Sequence, residues 1–273
     1  MKDKLVNEML GLKDSATKSQ KKLIDFLMET SVKDLIYMSI TELSEMADVG
    51  EATILRFCRA LGYRGYQDFK LALAQGVGEQ SRPNEDNYAF AIADSMIETL
   101  NYCKTKIDLP KVEEAVETIA NSRVLSLFGS GNSIVPAQEM HARLLKFGIV
   151  SNVEISSHQQ NVVASNLTEN DCLVLFSVSG CSKDCIEVQE LAKERGAKIV
   201  VVTSYDRSPL AKNADIVLLS VKSESPVDGG SLVTKIGQLY IVDVLCAGLM
   251  RKNGDRYRDN VDRANKSVIK KLI

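Results

Sequence analysis

The sequence predicts an α/β chain in two parts, an all-α helix-turn-helix domain followed by a domain built on a parallel sheet. Three observations carry that reading. Residues 1–76 show helical apolar spacing and no strand-like run. From Arg123 onward, short β-rich runs alternate with helical ones. Between the two textures lies "GVGEQSRPNEDN" (76–87), a Gly, Ser, Pro and acidic segment with the composition of a linker.

Bulk properties narrow the classes. A chain of 273 residues with 45% hydrophobic and 26% charged residues has ample core for two modest domains and is no disordered tail. No run approaches the ~18 to 20 unbroken apolar residues of a membrane span, and the charged "MKDK" start has no apolar signal core. A cytoplasmic protein without a membrane partner is expected. The six cysteines show no Cys-x-x-Cys spacing, which suits reduced, packed thiols. A net charge of −2 means that any nucleic-acid site must be local.

The N-terminal part is most informative at "SITELSEMADVGEATILRFCRALGY" (39–63). Leu43 and Met46 predict one short apolar face, with Ala47 small enough for a close helix crossing. "DVG" (48–50) predicts a tight turn. A second helix then carries Ile54, Phe57, Cys58 and Leu61 at i, i+3, i+4 and i+7, one buried stripe that Gly62 ends. Two short helices around such a turn match the helix-turn-helix motif, whose second helix enters the major groove. The opposite face presents Ala52, Leu55, Arg56 and Arg59, with Thr53 on the flank. Arg56, Arg59, Arg64 and Lys70 face only Asp68 in charge between Thr53 and Gln75, a local basic patch suited to phosphates. Ala52, Thr53, Arg56, Arg59, Arg64 and Lys70 are therefore the candidate DNA-binding residues. The competing reading is a helical packing module with a solvated basic face. Tyr63, Tyr66 and Phe69 read as core.

"TILRFCRALGYRGYQDFKLALA" (53–74) resembles the segment that closes the DNA-binding domain of RpiR-family bacterial regulators. Gly50 departs from the family's usual Ser cap, and Ser44 stands where Ala is usual.

The chain continues with helical stretches from about Tyr88 to Lys104 and in "PKVEEAVETIANS" (110–122), where Pro110 near the start lacks only an N–H that the first turn leaves unbonded. Five nearly continuous apolar runs follow, at 123–128, 149–153, 172–177, 198–203 and 215–219. Such runs suit strands buried on both faces, and the crossovers between them give the βαβ rhythm of a parallel sheet.

Two turns after these strands carry the candidate chemistry. "GSGNS" (129–133) places Gly129, Gly131 and Ser133 at the start of a helix. "SVSGCSKDC" (177–185) places Ser177, Ser179 and Ser182 around Gly180 before another. Small residues let the backbone approach an anion, while hydroxyls and free helix N–H groups donate to it. Convergence beyond the carboxyl ends of parallel strands is where open α/β sheets bind ligands. A phosphomonoester fits that chemistry, and a plain Ser/Gly connection is the alternative. Lys183 reads as solvated. Cys181 and Cys185 share a helix face at i, i+4 but have no ligand partners near in sequence, so no metal site is expected.

"FGSGNS…FSVSGCSKDCIEVQELAKERGAKIVVVT" resembles the sugar isomerase (SIS) domain, with Ser133, Ser177, Ser179 and Ser182 at its phosphosugar-binding positions. RpiR-type regulators join these two domains. The resemblance implies a three-layer αβα SIS domain with a five-stranded parallel sheet, dimerisation through that domain, and a sugar phosphate effector.

Three functions compete: a carbohydrate-responsive transcriptional regulator, a sugar-phosphate isomerase with a helical appendage, and a scaffold. An isomerase needs a positioned acid–base group. His141 reads as structural, His158 begins a helix that can face the cleft, and Glu139 and Glu224 lie near pocket-forming segments. None forms a pair in sequence, and the fused helix-turn-helix favours the regulator. No catalytic residue, metal or cofactor is expected. The expected division is 1–77 for DNA binding, 78–118 for linker and connecting helices, and 119–273 for the SIS domain. The expected partners are a palindromic double-stranded operator, a sugar phosphate and further copies of the chain, as homodimer or higher homo-oligomer. The apolar run at 231–252 is the candidate for part of that interface.

Overall fold

The computed structural model describes residues 9–13, 16–38, 40–78, 88–220 and 232–269. The predicted linker residues 79–87, Glu224 and Ser231 lie outside them. The chain divides into two compact units between Ala91 and Ile92.

The first unit is helical. Helix α1 (Lys18–Glu29) opens on a capping box in which the Thr17 N–H donates to Gln20 Oε1 at 3.0 Å and the Gln20 N–H returns to Thr17 Oγ1. Short helices α2 (Val32–Tyr37) and α3 (Ile40–Met46) follow, then α4 (Glu51–Ala60) and α5 (Tyr66–Gly78). Leu23 and Ile24 of α1, Leu43 of α3, Ile54, Phe57 and Cys58 of α4 and Phe69 of α5 form one core. Phe69 meets Phe57 and Tyr63 edge-on, so the aromatic residues pack inside as expected. Met46 differs from expectation. At 44% exposure it leaves the inner face of α3 to Leu43, and Ala47 and Val49 in the following turn supply the rest.

The second unit begins with α6 (Tyr88–Lys106), assigned to it from Ile92, and α7 (Leu109–Asn121), whose N-cap Asp108 accepts from the Lys111 N–H. Five strands follow: β1 (Leu125–Gly129), β2 (Ser151–Val153), β3 (Cys172–Phe176), β4 (Lys198–Thr203) and β5 (Ile216–Leu219). Their order is β2-β1-β3-β4-β5 and every pairing is parallel. Helices α8 (Ile134–Phe147), α9 (Ser157–Ser165), α10 (Lys183–Glu194) and α11 (Pro209–Lys212) occupy the crossovers, and α12 (Leu232–Ile269) closes the fold.

Alternate strand residues face opposite layers. Leu127, Val174 and Val202 pack with α7, α8 and α12, whereas Phe128, Leu173, Leu175 and Val201 pack with α9, α10 and α11. The result is a three-layer αβα arrangement.

Two strands, β1 and β2, begin two residues later than their apolar runs, for identifiable reasons. The Val124 N–H donates to Asp171 Oδ1 at 3.1 Å, which takes it out of the ladder before β1 begins. The Ile149 N–H returns to Leu144 O, closing the left-handed cap of α8 at Gly148.

Helix α12 kinks at Asn253 and carries an 18-residue window of mean hydropathy 1.5, long and apolar enough to cross a membrane by composition. Its apolar side is occupied within the domain, because Ile241, Val242, Leu245, Cys246 and Leu249 lie in the core. One stripe of the run expected to contribute to an interface between copies is therefore internal packing.

Candidate functional site

The two serine turns meet where the strand order reverses. β1 pairs with β2 on one side and β3 on the other, so the turns after β1 and β3 leave adjacent strands in opposite directions and open a crevice at their carboxyl ends. Gly129 ends β1 paired with Phe176. A Cβ on Gly129 would sit 2.3 Å from the Ser133 carbonyl oxygen, so the first turn closes only over glycine. Gly131 follows at φ +58°, and Ser133 caps α8 without spending its hydroxyl on a cap bond.

In the second turn, Ser177 Oγ accepts from the Gly180 N–H and Ser179 Oγ accepts from the Cys181 N–H, both at 3.2 Å. Each serine oxygen thus braces the turn while its own hydroxyl proton remains to be donated. Gly180 adopts φ +64°, and a Cβ there would sit 2.0 Å from Ser208 Oγ. Ser182 is the N-cap of α10 and makes no side-chain cap bond. Ser133, Ser179 and Ser182 are half-buried, whereas Ser177 is only 4% exposed, which makes it mainly a brace.

The cysteines divide. Cys181 precedes α10 and its Sγ donates to the Ser179 carbonyl, so it does not share a helix face with Cys185 as expected. Cys185 is fully buried, and burial pushes its thiol above the ordinary range. His141 is tied to Ser151 Oγ at 2.8 Å, in keeping with a structural role, and His158 is exposed at the start of α9.

In the first unit, the turn between α3 and α4 is fastened from three sides. Ser44 Oγ donates to Val49 O at 2.6 Å, Thr41 Oγ1 to Glu51 Oε1 at 2.7 Å, and Lys22 Nζ of α1 to Asp48 Oδ2 at 2.6 Å. Lys22 also holds the Asp48 carboxyl below its ordinary pKa. Gly50 is the N-cap of α4 and offers no side-chain bond. Ala52, Arg56 and Arg59 lie exposed on α4.

Thr53 is placed differently from expectation. Its position turns it inward to 9% exposure, and its Oγ1 accepts from Arg56 Nη2 at 3.3 Å, so it supports an arginine instead of facing outward. Leu61 is only partly buried. Arg64 has a 94% exposed side chain, with Nε 3.7 Å from Asp68. Lys70 is engaged: its Nζ donates to Met38 O at 2.8 Å over the Tyr66 ring, holding the carbonyl end of α2.

Comparisons with known proteins agree with this anatomy. The helix-turn-helix domain model of the rpiR family matches residues 4–80, and the SIS domain model matches residues 118–247. An uncharacterized HTH-type transcriptional regulator of Haemophilus influenzae is 31% identical over 269 residues, covering 92% of this chain and 91% of its own. The chain belongs to the RpiR family.

The Escherichia coli regulator HexR is 28% identical across 92% of this RpiR-family chain and 90% of its own. The structure of Vibrio vulnificus NanR, complexed with ManNAc-6P, matches with a TM-score of 0.84 over 98% of this chain and 99% of NanR, at 27% identity. The Haemophilus influenzae relative and HexR are named as transcriptional regulators, and this RpiR protein is a DNA-binding transcriptional regulator with a SIS domain and not an isomerase.

Three polar residues around the SIS crevice escaped sequence reasoning. Ser130 Oγ donates to Asp184 Oδ2 at 3.1 Å, bridging the two turns. Gln160, only 1% exposed, donates from Nε2 to both Gly129 O and Glu154 O, joining the end of β1 to the segment after β2. Nothing in their local spacing marks them, since their partners come from distant segments.

Proposed function

We propose that this regulator reads operator DNA with α4 and adjusts that binding according to a sugar phosphate held between the turns after β1 and β3. The observation that carries the reading is the brace geometry of the second turn. Serine oxygens that accept from backbone N–H groups leave hydroxyl protons for an anion, beside the positive end of α10 and at the reversal of strand order. Ser133, Ser179 and Ser182 donate to the phosphate, Gly129, Gly131 and Gly180 let the backbone approach, and Ser177 braces. ManNAc-6P in the related NanR supports a sugar phosphate as the effector class.

On the DNA side, Ala52, Arg56 and Arg59 face the groove, Arg64 neutralises a flanking phosphate, and Thr53 and Lys70 hold the surface in place. Residues 1–77 bind DNA, 78–118 connect, and 119–273 sense. One helix-turn-helix reads few base pairs, so the chain works in the cytoplasm as a homodimer or higher homo-oligomer on a palindromic operator of carbohydrate genes.

The test is thermal unfolding of the full chain against a panel of sugar phosphates and their unphosphorylated counterparts. A cognate compound at saturation should raise Tm by about 5 °C or more. It should also change operator mobility in a gel. A panel in which free sugars act as well as their phosphates would overturn the reading.

A further inference from the structure

The bond between Ser130 and Asp184 is out of keeping with an anion cradle. Ser130 lies in the turn after β1, and Asp184 is the second residue of α10, beyond the turn after β3. Their contact at 3.1 Å therefore fastens one wall of the crevice to the other. It also sets a carboxylate at the amino end of α10, where the helix dipole and unbonded N–H groups favour negative charge. A phosphate would be drawn by that same field and would use that same hydroxyl.

We propose that Asp184 is an internal occupant of the effector's anion position, which lowers phosphate affinity and sets the effector concentration at which the regulator responds. This rests on the cradle reading above. The carboxylate uses up the Ser130 hydroxyl in the ligand-free protein and repels an incoming phosphate at close range. Removing its charge while keeping a hydrogen-bond acceptor, as in Asp184→Asn, lifts the repulsion. Removing the side chain, as in Asp184→Ala, also frees Ser130. Either change should tighten binding about tenfold, the size expected of one like-charge contact near a protein surface.

The experiment uses inorganic phosphate as the probe and follows full-length thermal unfolding in phosphate against chloride at matched ionic strength. Each protein is its own reference, so a small intrinsic loss of stability in a variant does not confuse the result. The expected outcome is a larger phosphate-dependent rise in Tm for both Asp184 variants than for the parent, lost again when Ser182→Ala is added to Asp184→Ala. An equal or smaller rise, including none in any protein, overturns the proposal. So does a gain that survives Ser182→Ala, which would put the anion elsewhere. Failure here leaves the cradle reading standing if Ser179→Ala and Ser182→Ala still weaken the response to the sugar phosphate panel. If the panel itself gives no response, the cradle reading falls.

Discussion

Arg56 and Arg59 show how differently two similar side chains can be held. Arg56 is steered by Thr53 Oγ1, while Arg59 lies in the last turn of α4. Replacing either with Ala removes an exposed side chain and should leave the fold intact. Loss of a base contact should cost about 1–3 kcal/mol and relax preference at one position, whereas loss of a phosphate contact should weaken all sequences alike and flatten the salt slope. Anisotropy titrations on operator variants at several salt concentrations separate the two outcomes. In the other domain, Ser179→Ala and Ser182→Ala should each weaken effector binding by about 1.5–3 kcal/mol, measured by calorimetry. Cys181→Ser should leave the response unchanged. Cys185→Ser puts a hydroxyl in a fully buried site and should cost about 1 kcal/mol or more of stability, with the effector response kept.

Among the elements, α4 and the turn after β3 make contrasting predictions. A Cβ at Gly50 meets nothing within 4 Å, and its φ of −70° and ψ of 147° suit any residue. Gly50→Ser should therefore add a cap and stabilise the first unit by a few tenths of a kcal/mol, about the Ser-to-Gly difference at this position. Gly180→Ala should do the opposite. It forces a side chain into φ +64° and onto Ser208 Oγ, so loss of effector response with a lower Tm is expected.

The same two elements show what the sequence made legible. The apolar stripe of Ile54, Phe57 and Cys58 predicted α4 and its inward face, and the five apolar runs predicted the strands, because both depend on local periodicity. The roles of Thr53 and Lys70 were not legible. A residue on the flank of a helix turns inward or outward according to neighbours from other helices, and Lys70 finds its partner 32 residues away at Met38. Cys181 was misplaced by two residues of helix boundary, since α10 begins at Lys183 after its Ser182 cap where simple i, i+4 spacing assumed helix. Met46 was misread, an apolar residue left outside, whereas the run at 231–252 proved to spend one apolar stripe on the domain's own core.

For the molecule as a whole, linkage makes sensing reciprocal: if the effector changes operator affinity by some factor, operator DNA must change effector affinity by the same factor. Stability has its own centre, far along the strands from the crevice. Asp171, with a fully buried side chain, accepts from Arg123 Nη2, the Val124 N–H, the Thr168 N–H and Thr168 Oγ1 at 2.8 to 3.1 Å. Burial alone would raise its pKa, but the Arg123 and Thr168 donors outweigh burial and hold it below the ordinary aspartate value. A depressed folded value means that this carboxylate stabilises the protein fully above the unfolded pKa of about 3.9, and that the contribution drains away as pH falls through the lower folded value. Asp171→Asn should cost about 2–4 kcal/mol near neutral pH and reduce the acid sensitivity of unfolding.

Asp171 ties the amino end of β1 to that of β3, while the serine turns sit at the carboxyl ends of the same two strands. The sheet is thus riveted through a buried carboxylate at one margin and carries its serine turns at the other. A protein engineer can exploit that polarity. New sugar-reading turns can be grafted after β1 and β3 and screened for altered response, with the rivet at Asp171 keeping each graft folded long enough to be judged on what it binds.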